Sequence, residues 1–257
     1  MNATALKDGE FKQFQAWLYR AAGINLSPAK KALVAGRLFK RLKHHQLNSY
    51  GDYFQLIMGH EATAELQVAL DLLTTNETYF FREPKHFDFL QQKILPACTG
   101  QADFRAWSAA SSTGEEAYTL AMLLHEARPH LGWSVLGTDI SRQVVQSAER
   151  GLYLMERGSK IPAHYLKRYC LKGKDQYKGY FLVERGLRER VEFRQGNLNL
   201  PAPELGLFEL IMLRNVLIYF DQETKQRVLN NVVQRLKPGG WLMVGHSEAL
   251  HDTGLPI

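Results

Sequence analysis

Apolar positions in the first 73 residues recur every three or four residues, the period of a helix that buries one face. The clearest stripe, Val34, Leu38 and Leu42, follows Ser27-Pro28, a pair that favours a helix start because serine caps the first turn and proline needs no partner there. Similar stripes predict helices over 10–22, from Ser49 onward, and over 62–73. We therefore predict an N-terminal, all-helical domain over residues 1–73.

The pattern changes after residue 73. Residues 74–103 form a predicted linker, and from residue 104 short apolar runs alternate with helical segments. Alternating strands and helices are typical of an α/β fold with a mostly parallel sheet, which binds ligands at the carboxyl ends of its strands. Residues 104–257 are therefore predicted to form one domain. Glycines around the apolar run at 180–183 predict a small antiparallel β insertion at about 172–190.

Composition narrows the class of protein. The 257 residues are 45% hydrophobic and 23% charged, which is ordinary for a globular protein. No apolar run approaches the ~18 residues of a membrane span, and Asp8 and Glu10 interrupt the region where a signal peptide would be apolar. Two cysteines, Cys98 and Cys170, are too few for a disulfide framework or a zinc site. A cytoplasmic protein without a structural metal is expected.

The net charge of +6 is unevenly distributed, since residues 11–51 contain no Asp or Glu. On the predicted second helix, Arg37, Lys40, Arg41 and His44 share the side opposite the apolar stripe. A basic helix face of this kind favours an anionic partner, either a nucleic acid or an acidic protein surface.

The predicted strand ends contain the candidate chemistry. The first strand runs into a loop of small residues, 109–116, that ends in two glutamates, so a pyrophosphate is disfavoured there and a cationic ligand is favoured. The second strand ends at Asp139, 25 residues after Gly114, a position suited to ribose hydroxyls. With Glu116 facing an ammonium group, the two strand ends favour S-adenosylmethionine. Two simpler roles stay open: Glu116 can be a helix-dipole residue and Asp139 a helix cap.

The fourth predicted strand ends in Arg214-Asn215-Val216-Leu217-Ile218-Tyr219-Phe220. This run lacks the Pro-Pro turn of amine methyltransferases, and no cysteine lies at a strand end to act as a nucleophile on cytosine. Tyr219 is therefore either a site residue or part of the core. Three consecutive aromatic residues, 79–81, indicate that the linker packs over the sheet as part of the site.

Five motifs occur in one order: TTNETYFFRE, WSAASSTGEEAYTLAM, GTDIS, RNVLIYF and LKPGGWLMVGHSE. In this the chain resembles the chemotaxis receptor glutamate methyltransferase family, CheR. The resemblance implies a helical domain on a Rossmann-like methyltransferase sheet with a small β insertion. It also implies that the basic helix, with Arg37, Lys40, Arg41 and His44, docks on the acidic helices of a chemoreceptor. The implied contacts with S-adenosylmethionine are Asn76, Thr78, Arg82, Glu116, Asp139, Asn197, Leu198, Arg214 and Asn215.

The implied reaction is methyl transfer from S-adenosylmethionine to a chemoreceptor glutamate, giving a methyl ester and S-adenosylhomocysteine in chemotaxis adaptation. A glutamate with a pKa of ~4.3 is ionised at neutral pH, so the reaction needs no general base. Arg82 would orient this carboxylate and Tyr219 would line the methyl-transfer channel, which makes them the expected catalytic pair. The expected protein is a cytoplasmic monomer that does not bind nucleic acid and does not insert directly into a membrane. The alternatives are an RNA methyltransferase and a non-catalytic receptor-binding adaptor.

Overall fold

The computed structural model describes residues 5–59, 63–98, 103–248 and 250. Within it the chain forms two compact units. One comprises the residues up to Thr75 together with Tyr219–Thr224, and the other comprises Asn76–Ile218 and the residues from Lys225 onward. The predicted domain boundary after residue 73 lies close to Thr75. Ala62, which we placed in the fourth helix, residues 99–102 of the linker, and residues 249 and 251–257 of the second domain lie outside the described residues.

The first unit is helical, as the apolar stripes predict. A 3-10 turn at Pro28–Lys30 precedes the second helix, whose stripe Val34, Leu38 and Leu42 is at most 3% exposed. Ser49 caps the third helix by accepting a hydrogen bond from the backbone N–H of Asp52 at 3.0 Å. The four helices are α1 (Asp8–Ala22), α2 (Lys31–His44), α3 (Tyr50–Met58) and α4 (Thr63–Leu73).

The second unit contains two sheets and several helices. A π-helical turn, Leu90–Ile94, separates its first two helices. Its strands are β1 (Asp103–Ala109), β2 (Gly132–Asp139), β3 (Leu152–Leu154), β4 (Cys170–Lys172), β5 (Tyr180–Val183), β6 (Val191–Gln195), β7 (Phe208–Leu213) and β8 (Leu236–Val244). Its helices are α5 (Pro84–Phe89), α6 (Leu95–Ala97), α7 (Glu115–Ala127), α8 (Arg142–Arg150), α9 (Ala163–Tyr169) and α10 (Arg185–Arg188), and α11 (Gln222–Val233) joins β7 to β8.

The main sheet has five parallel strands in the order β6-β2-β1-β7-β8, which confirms the predicted α/β architecture. The chain first builds outward from β1 through β2 to β6, and then returns to the other side of β1 with β7 and β8. This reversal next to β1 is the place where open α/β sheets form a ligand crevice. Buried side chains such as Phe104, Ala106, Leu210 and Met212 fix the sheet against its helices.

The second sheet is antiparallel, in the order β3-β5-β4. It begins at Leu152, well before the predicted insertion at about 172–190. Strands of three residues, such as β3 and β4, are too short to show an alternating pattern, so only β5 was visible in the sequence. Residues 237–240, a Lys-Pro-Gly-Gly run typical of a turn, are part of β8, whose register against β7 shifts between Phe208 and Leu210.

None of the described helices is both long and apolar enough to cross a membrane. Among the described residues, no cluster of three or more His, Cys, Asp or Glu side chains is arranged to hold a metal ion. Cys98 and Cys170 are both free thiols.

Candidate active site

The loop between β1 and α7 has an unusual backbone. Ala110 and Ser112 adopt positive φ angles of 66° and 49°, a conformation that costs side-chain-bearing residues about 1–3 kcal/mol. Gly114, at φ 93°, cannot be replaced without a clash, because a Cβ there would lie 2.8 Å from the Cβ of Ala148. Such strained residues persist only where the surroundings hold them, and they concentrate at functional sites.

Asp139, at the end of β2, holds this loop. Its Oδ2 accepts the backbone N–H of Ser112 at 2.9 Å, and its Oδ1 accepts the backbone N–H of Ser141 at 2.9 Å. The cap of α8 is Ser141, whose hydroxyl accepts the N–H of Val144, so Asp139 is not the helix cap that we considered. Asp139 therefore joins the end of β2 to the strained loop after β1.

Arg214, at the end of β7, is the centre of the polar network. Its side chain is only 1% exposed. Nη1 donates to Oε2 of Glu116 at 2.7 Å, and Nη2 donates to the carbonyl of Arg82 at 2.5 Å and to Oε2 of Glu83 at 3.1 Å. The guanidinium therefore ties the end of β7 to the first turn of α7 and to the segment before α5. Arg214 Nε is buried and has no hydrogen-bond partner in the part of the chain that the structure describes.

Glu116 is thus an ion-pair partner of Arg214. Its Oε1 also accepts the hydroxyl of Ser108 at 2.7 Å. Burial raises the pKa of Glu116, and the charge and hydrogen bond of Arg214 oppose that rise. The glutamate side chain, 13% exposed, retains a small accessible surface for a cationic ligand.

Glu83 lies at the start of α5 with a left-handed backbone, φ 57°. Its Oε1 accepts the side-chain amide of Asn215 at 3.0 Å, and its Oε2 accepts the backbone N–H of His246 at 3.2 Å in addition to Arg214. Burial raises the pKa of Glu83, but the hydrogen bonds from Asn215 and Arg214 outweigh it and bring the pKa below its usual range. Glu83 is therefore an anionic acceptor for groups from two strand ends.

Glu248 fixes the same region from the other side. Its Oε2 accepts the backbone N–H groups of Asn215 and Gly245, and its Oε1 accepts that of Leu217, each at 2.7 Å. The residue is 6% exposed. The carboxylate therefore joins the ends of β7 and β8, and it holds Asn215 at a left-handed φ of 57°.

The segment 76–82 is fixed in place by hydrogen bonds that its backbone carbonyls accept. Ser112 Oγ donates to the carbonyl of Asn76 at 2.9 Å, and Arg82 Nη1 donates to that of Glu77 at 2.7 Å. The Arg82 guanidinium also lies over the ring of Tyr79, with Cζ 5.8 Å from the centroid, and its charge adds to that of Arg214 in opposing the rise that burial causes in the pKa of Glu116. Arg82 is therefore near Glu116, with only one of its five N–H groups in a bond to the described protein.

The β insertion reaches the loop after β1 through Arg157, in the 3-10 turn that follows β3. Arg157 pairs through Nε at 2.7 Å and through Nη2 with Oε1 of Glu115, a side chain with no exposed surface. Its Nη2 also donates to the carbonyl of Thr78 at 3.0 Å. Burial raises the pKa of Glu115, and Thr113 and Arg157 oppose that rise.

Asn197 and Leu198 lie beyond the end of β6 and line a cavity of about 310 Å³ together with Trp107 and Thr138. The hydroxyl of Thr138 accepts the indole N–H of Trp107 at 2.9 Å. Thr138 precedes Asp139 in the chain, so this cavity adjoins the end of β2. Concave sites with a mostly apolar lining and a few polar groups are typical of small-molecule binding.

The remaining predicted residues belong to the helical unit. Tyr219 lies in a 3-10 turn, and its carbonyl accepts the N–H of Asn25 at 2.9 Å. Arg37 Nη1 donates to the carbonyls of Leu73 and Thr74 at the end of α4, at 3.1 and 2.9 Å. Helix-terminal carbonyls are natural partners for an arginine.

Arg41 is also engaged within the helical unit. Its Nε donates to Oε1 of Glu65 at 2.8 Å, and its Nη2 donates to Oε2 of the same carboxylate. Glu65 also accepts the hydroxyl of Tyr53 at 2.7 Å. Of the four expected docking residues, Lys40 and His44 are exposed, whereas Arg37 and Arg41 have partners inside the domain.

The structure therefore brings six predicted site positions into two groups of contacts: Arg82, Glu116, Arg214 and Asn215 around the end of β7, and Asn76 with Asp139 through Ser112. It adds Glu83, Glu248, Glu115 and Arg157, which sequence reasoning missed. One sequence signal was available, since Glu83 and Glu248 both lie inside the quoted motifs.

The residues present fit S-adenosylmethionine. Two acidic side chains lie near the strand ends, Asp139 where ribose hydroxyls are expected and Glu116 where an ammonium group is expected, and such anionic surroundings disfavour a phosphate. Two buried polar atoms there, Ser111 Oγ and Arg214 Nε, have no hydrogen-bond partner among the described residues and are available to a ligand.

Comparison with known proteins matches both units. The family model described as "CheR methyltransferase, all-alpha domain" matches residues 9–74, and the model described as "CheR methyltransferase, SAM binding domain" matches residues 76–255. The chemotaxis protein methyltransferase of Escherichia coli (strain K12) is 38% identical, over 95% of this chain and 85% of the relative. The corresponding protein of Borreliella burgdorferi is 36% identical, over 98% of this chain and 92% of the relative. Chemotaxis protein methyltransferase 2 of Pseudomonas aeruginosa is 38% identical, over 93% of this chain and 86% of the relative.

Proposed function

Since the chain belongs to the CheR methyltransferase family and is an S-adenosylmethionine-dependent methyltransferase, we propose that it methylates glutamate side chains of chemoreceptors during chemotaxis adaptation. The observation that supports this most directly is that the similarity extends through both units, including the helical one. The proposed enzyme works as a monomer in the cytoplasm, on the cytoplasmic domain of the receptor. Nucleic acid is not a substrate.

The chemistry suits an ionised acceptor. S-adenosylmethionine, when bound, supplies a methyl group on a positively charged sulfur. A receptor glutamate is already a carboxylate at neutral pH, so the protein has to position it and exclude water rather than remove a proton. The site is consistent with a positioning role. Its carboxylates accept hydrogen bonds that fix the protein itself: Glu83, Glu116, Asp139 and Glu248.

Arg82 is proposed to orient the receptor carboxylate. Its guanidinium makes one hydrogen bond to a neighbouring carbonyl and is stacked on Tyr79, which leaves most of its N–H groups available for a bidentate contact. Tyr219 is proposed to line the path of the methyl group. Asn76, Thr78, Glu116, Asp139, Asn197, Leu198, Arg214 and Asn215 are proposed to surround the cofactor.

Receptor docking is proposed to use the exposed side of α2. Lys40 and His44 point to solvent there, next to Lys43, whose ammonium lies 4.6 Å from the ring centroid of Phe39. Exposed cations attract an acidic helical surface and increase the association rate at low salt. Arg37 and Arg41 contribute by keeping α2 on α4.

The experiment is a labelled-methyl transfer assay with purified chain, S-adenosylmethionine and a cytoplasmic chemoreceptor fragment. Label should appear in the receptor and should be released by mild base, as expected of an ester. A receptor fragment with its acceptor glutamates changed to alanine is the control. Base-stable label in RNA, or cofactor binding without transfer to any receptor, would contradict the proposal.

Arg82→Lys tests the orienting role in the same assay. Lysine keeps the charge but not the planar fork, so we expect kcat/KM to fall more than a hundredfold, about 3 kcal/mol at ~1.36 kcal/mol per tenfold. A lysine variant with near wild-type transfer would remove Arg82 from the mechanism.

A further inference from the structure

Three acidic residues meet the Arg214-Asn215 strand end, and one of them, Glu83, touches both side chains. Its two oxygens are divided between them: Oε1 accepts from Asn215 Nδ2 at 3.0 Å, and Oε2 accepts from Arg214 Nη2 at 3.1 Å. Of the two side chains, Glu116 contacts only that of Arg214, and Glu248 contacts neither but accepts the backbone N–H of Asn215. Glu83 is therefore placed to set the mutual orientation of the two side chains.

The local backbone supports a dedicated role. Glu83 precedes Pro84 and has φ 57°, a left-handed conformation that is unfavourable for glutamate. Asn215 has the same φ of 57°. Two strained residues that face each other through a 3.0 Å hydrogen bond indicate that the contact is maintained at a cost in backbone energy.

We propose that Glu83 is a positioning residue of the cofactor site, which aligns Arg214 and Asn215 for S-adenosylmethionine without being a cofactor ligand itself. The inference rests on the proposed function for the placement of Arg214 and Asn215 at the cofactor. Three hydrogen bonds reach the Glu83 carboxylate in the described structure, from the guanidinium of Arg214, the side-chain amide of Asn215 and the backbone N–H of His246. Nδ1 of His86 also lies 3.3 Å from Oε2, without a hydrogen bond. A neutral amide keeps only one accepting oxygen, so at least one of these donors would lose its partner.

The test is the binding of S-adenosylhomocysteine by calorimetry, which needs no receptor and so separates this inference from the proposed substrate. Glu83→Gln should weaken binding at least tenfold. Glu77→Gln is the matched control: Glu77 lies in the same segment with an exposed side chain, and binding should stay within twofold of wild type. Wild-type affinity in a folded Glu83→Gln protein would overturn the proposal.

A double-mutant cycle distinguishes positioning from a separate contact. Asn215→Gly removes the amide that Glu83 accepts and tolerates the left-handed backbone. If Glu83 acts through its neighbours, the loss from Glu83→Gln should be clearly smaller in the Asn215→Gly background than in the wild type. If the double variant instead loses affinity by the product of the two single-variant factors, the two residues act independently and the proposal is overturned. Should Glu83→Gln fail to fold, Asn215→Gly alone decides, because wild-type affinity there would mean that the aligned amide does not serve the cofactor.

Discussion

Replacing Glu248 should destabilise the second unit more than any exposed glutamate would. Its carboxylate accepts three backbone N–H groups at 2.7 Å, from Asn215, Leu217 and Gly245, and the residue is 6% exposed. Hydrogen bonds to a charged acceptor contribute about 1.5–3 kcal/mol each, and the losses add incompletely because the three donors share one acceptor group. Glu248→Ala should therefore cost about 3–5 kcal/mol.

The assay is urea unfolding followed by circular dichroism and tryptophan fluorescence, with a parallel thermal scan. At about 2–4 °C per kcal/mol for a domain of this size, the alanine variant should melt about 6–20 °C lower. Glu248→Gln should fall between alanine and wild type, because one amide oxygen can still accept while the NH₂ group faces a donor.

Glu192→Gln provides the control. Glu192 pairs with Arg194 on the surface, with side chains 59% and 46% exposed, and such pairs contribute about 0–1 kcal/mol. If Glu248→Ala changes the free energy of unfolding by less than 1 kcal/mol with an unchanged m-value, the carboxylate does not hold the two strand ends together, and the reasoning fails.

Four further predictions concern charged groups. Lys40→Glu should raise the receptor KM, most strongly at low salt, and leave the melting temperature unchanged; a receptor KM that does not respond at any salt concentration would exclude docking there. Arg41→Ala should destabilise the helical unit by about 2–4 kcal/mol, because the largely buried Glu65 would lose its guanidinium partner. Burial raises the pKa of Glu65 but Arg41, Tyr53 and His45 outweigh it, so the folded-state pKa lies below 4.5. The contribution of Glu65 to the free energy of unfolding is thus complete above pH 4.5 and is lost as the pH falls through the folded-state pKa. Glu65→Gln should therefore reduce the loss of stability at acid pH. An unchanged loss would refute a role for Glu65 in it. Asp139→Asn should weaken S-adenosylhomocysteine binding at least tenfold by calorimetry, since both the ribose site and the Ser112 loop depend on the carboxylate; unchanged affinity would make Asp139 a loop residue only.

Periodicity within one segment was sufficient to predict the helices and the main sheet. The stripe Val34, Leu38 and Leu42 repeats every helical turn, and the strands around 133–140 and 208–215 are apolar runs between turn residues. Placing Asp139 and Arg214 at a common edge needed only the rule that parallel strands end on the same side. These predictions depend on local patterns, which a sequence shows directly.

The partners of the charged residues could not be predicted in the same way. Arg214 pairs with Glu83 and Glu116, which lie 131 and 98 residues away along the chain. A helical wheel correctly places Arg37 and Arg41 opposite the apolar stripe, but it does not show that part of this side is covered by another helix. Which buried charges meet depends on how the elements pack, and a single sequence contains no pattern for that.

Arg157 has a consequence for anyone who wishes to reduce the protein to a minimal catalytic fragment. Deleting the β insertion would remove Arg157, the positively charged partner of Glu115, whose side chain has no exposed surface. It would also remove Phe181, whose ring centroid lies 5.8 Å from that of Phe80 in the segment 76–82, which also contains Arg82. A shortened chain would thus retain an uncompensated anion at the first turn of α7 and an uncovered aromatic ring beside it. A chimera that takes the insertion from a relative would therefore also have to take the parts of the methyltransferase domain that the insertion contacts.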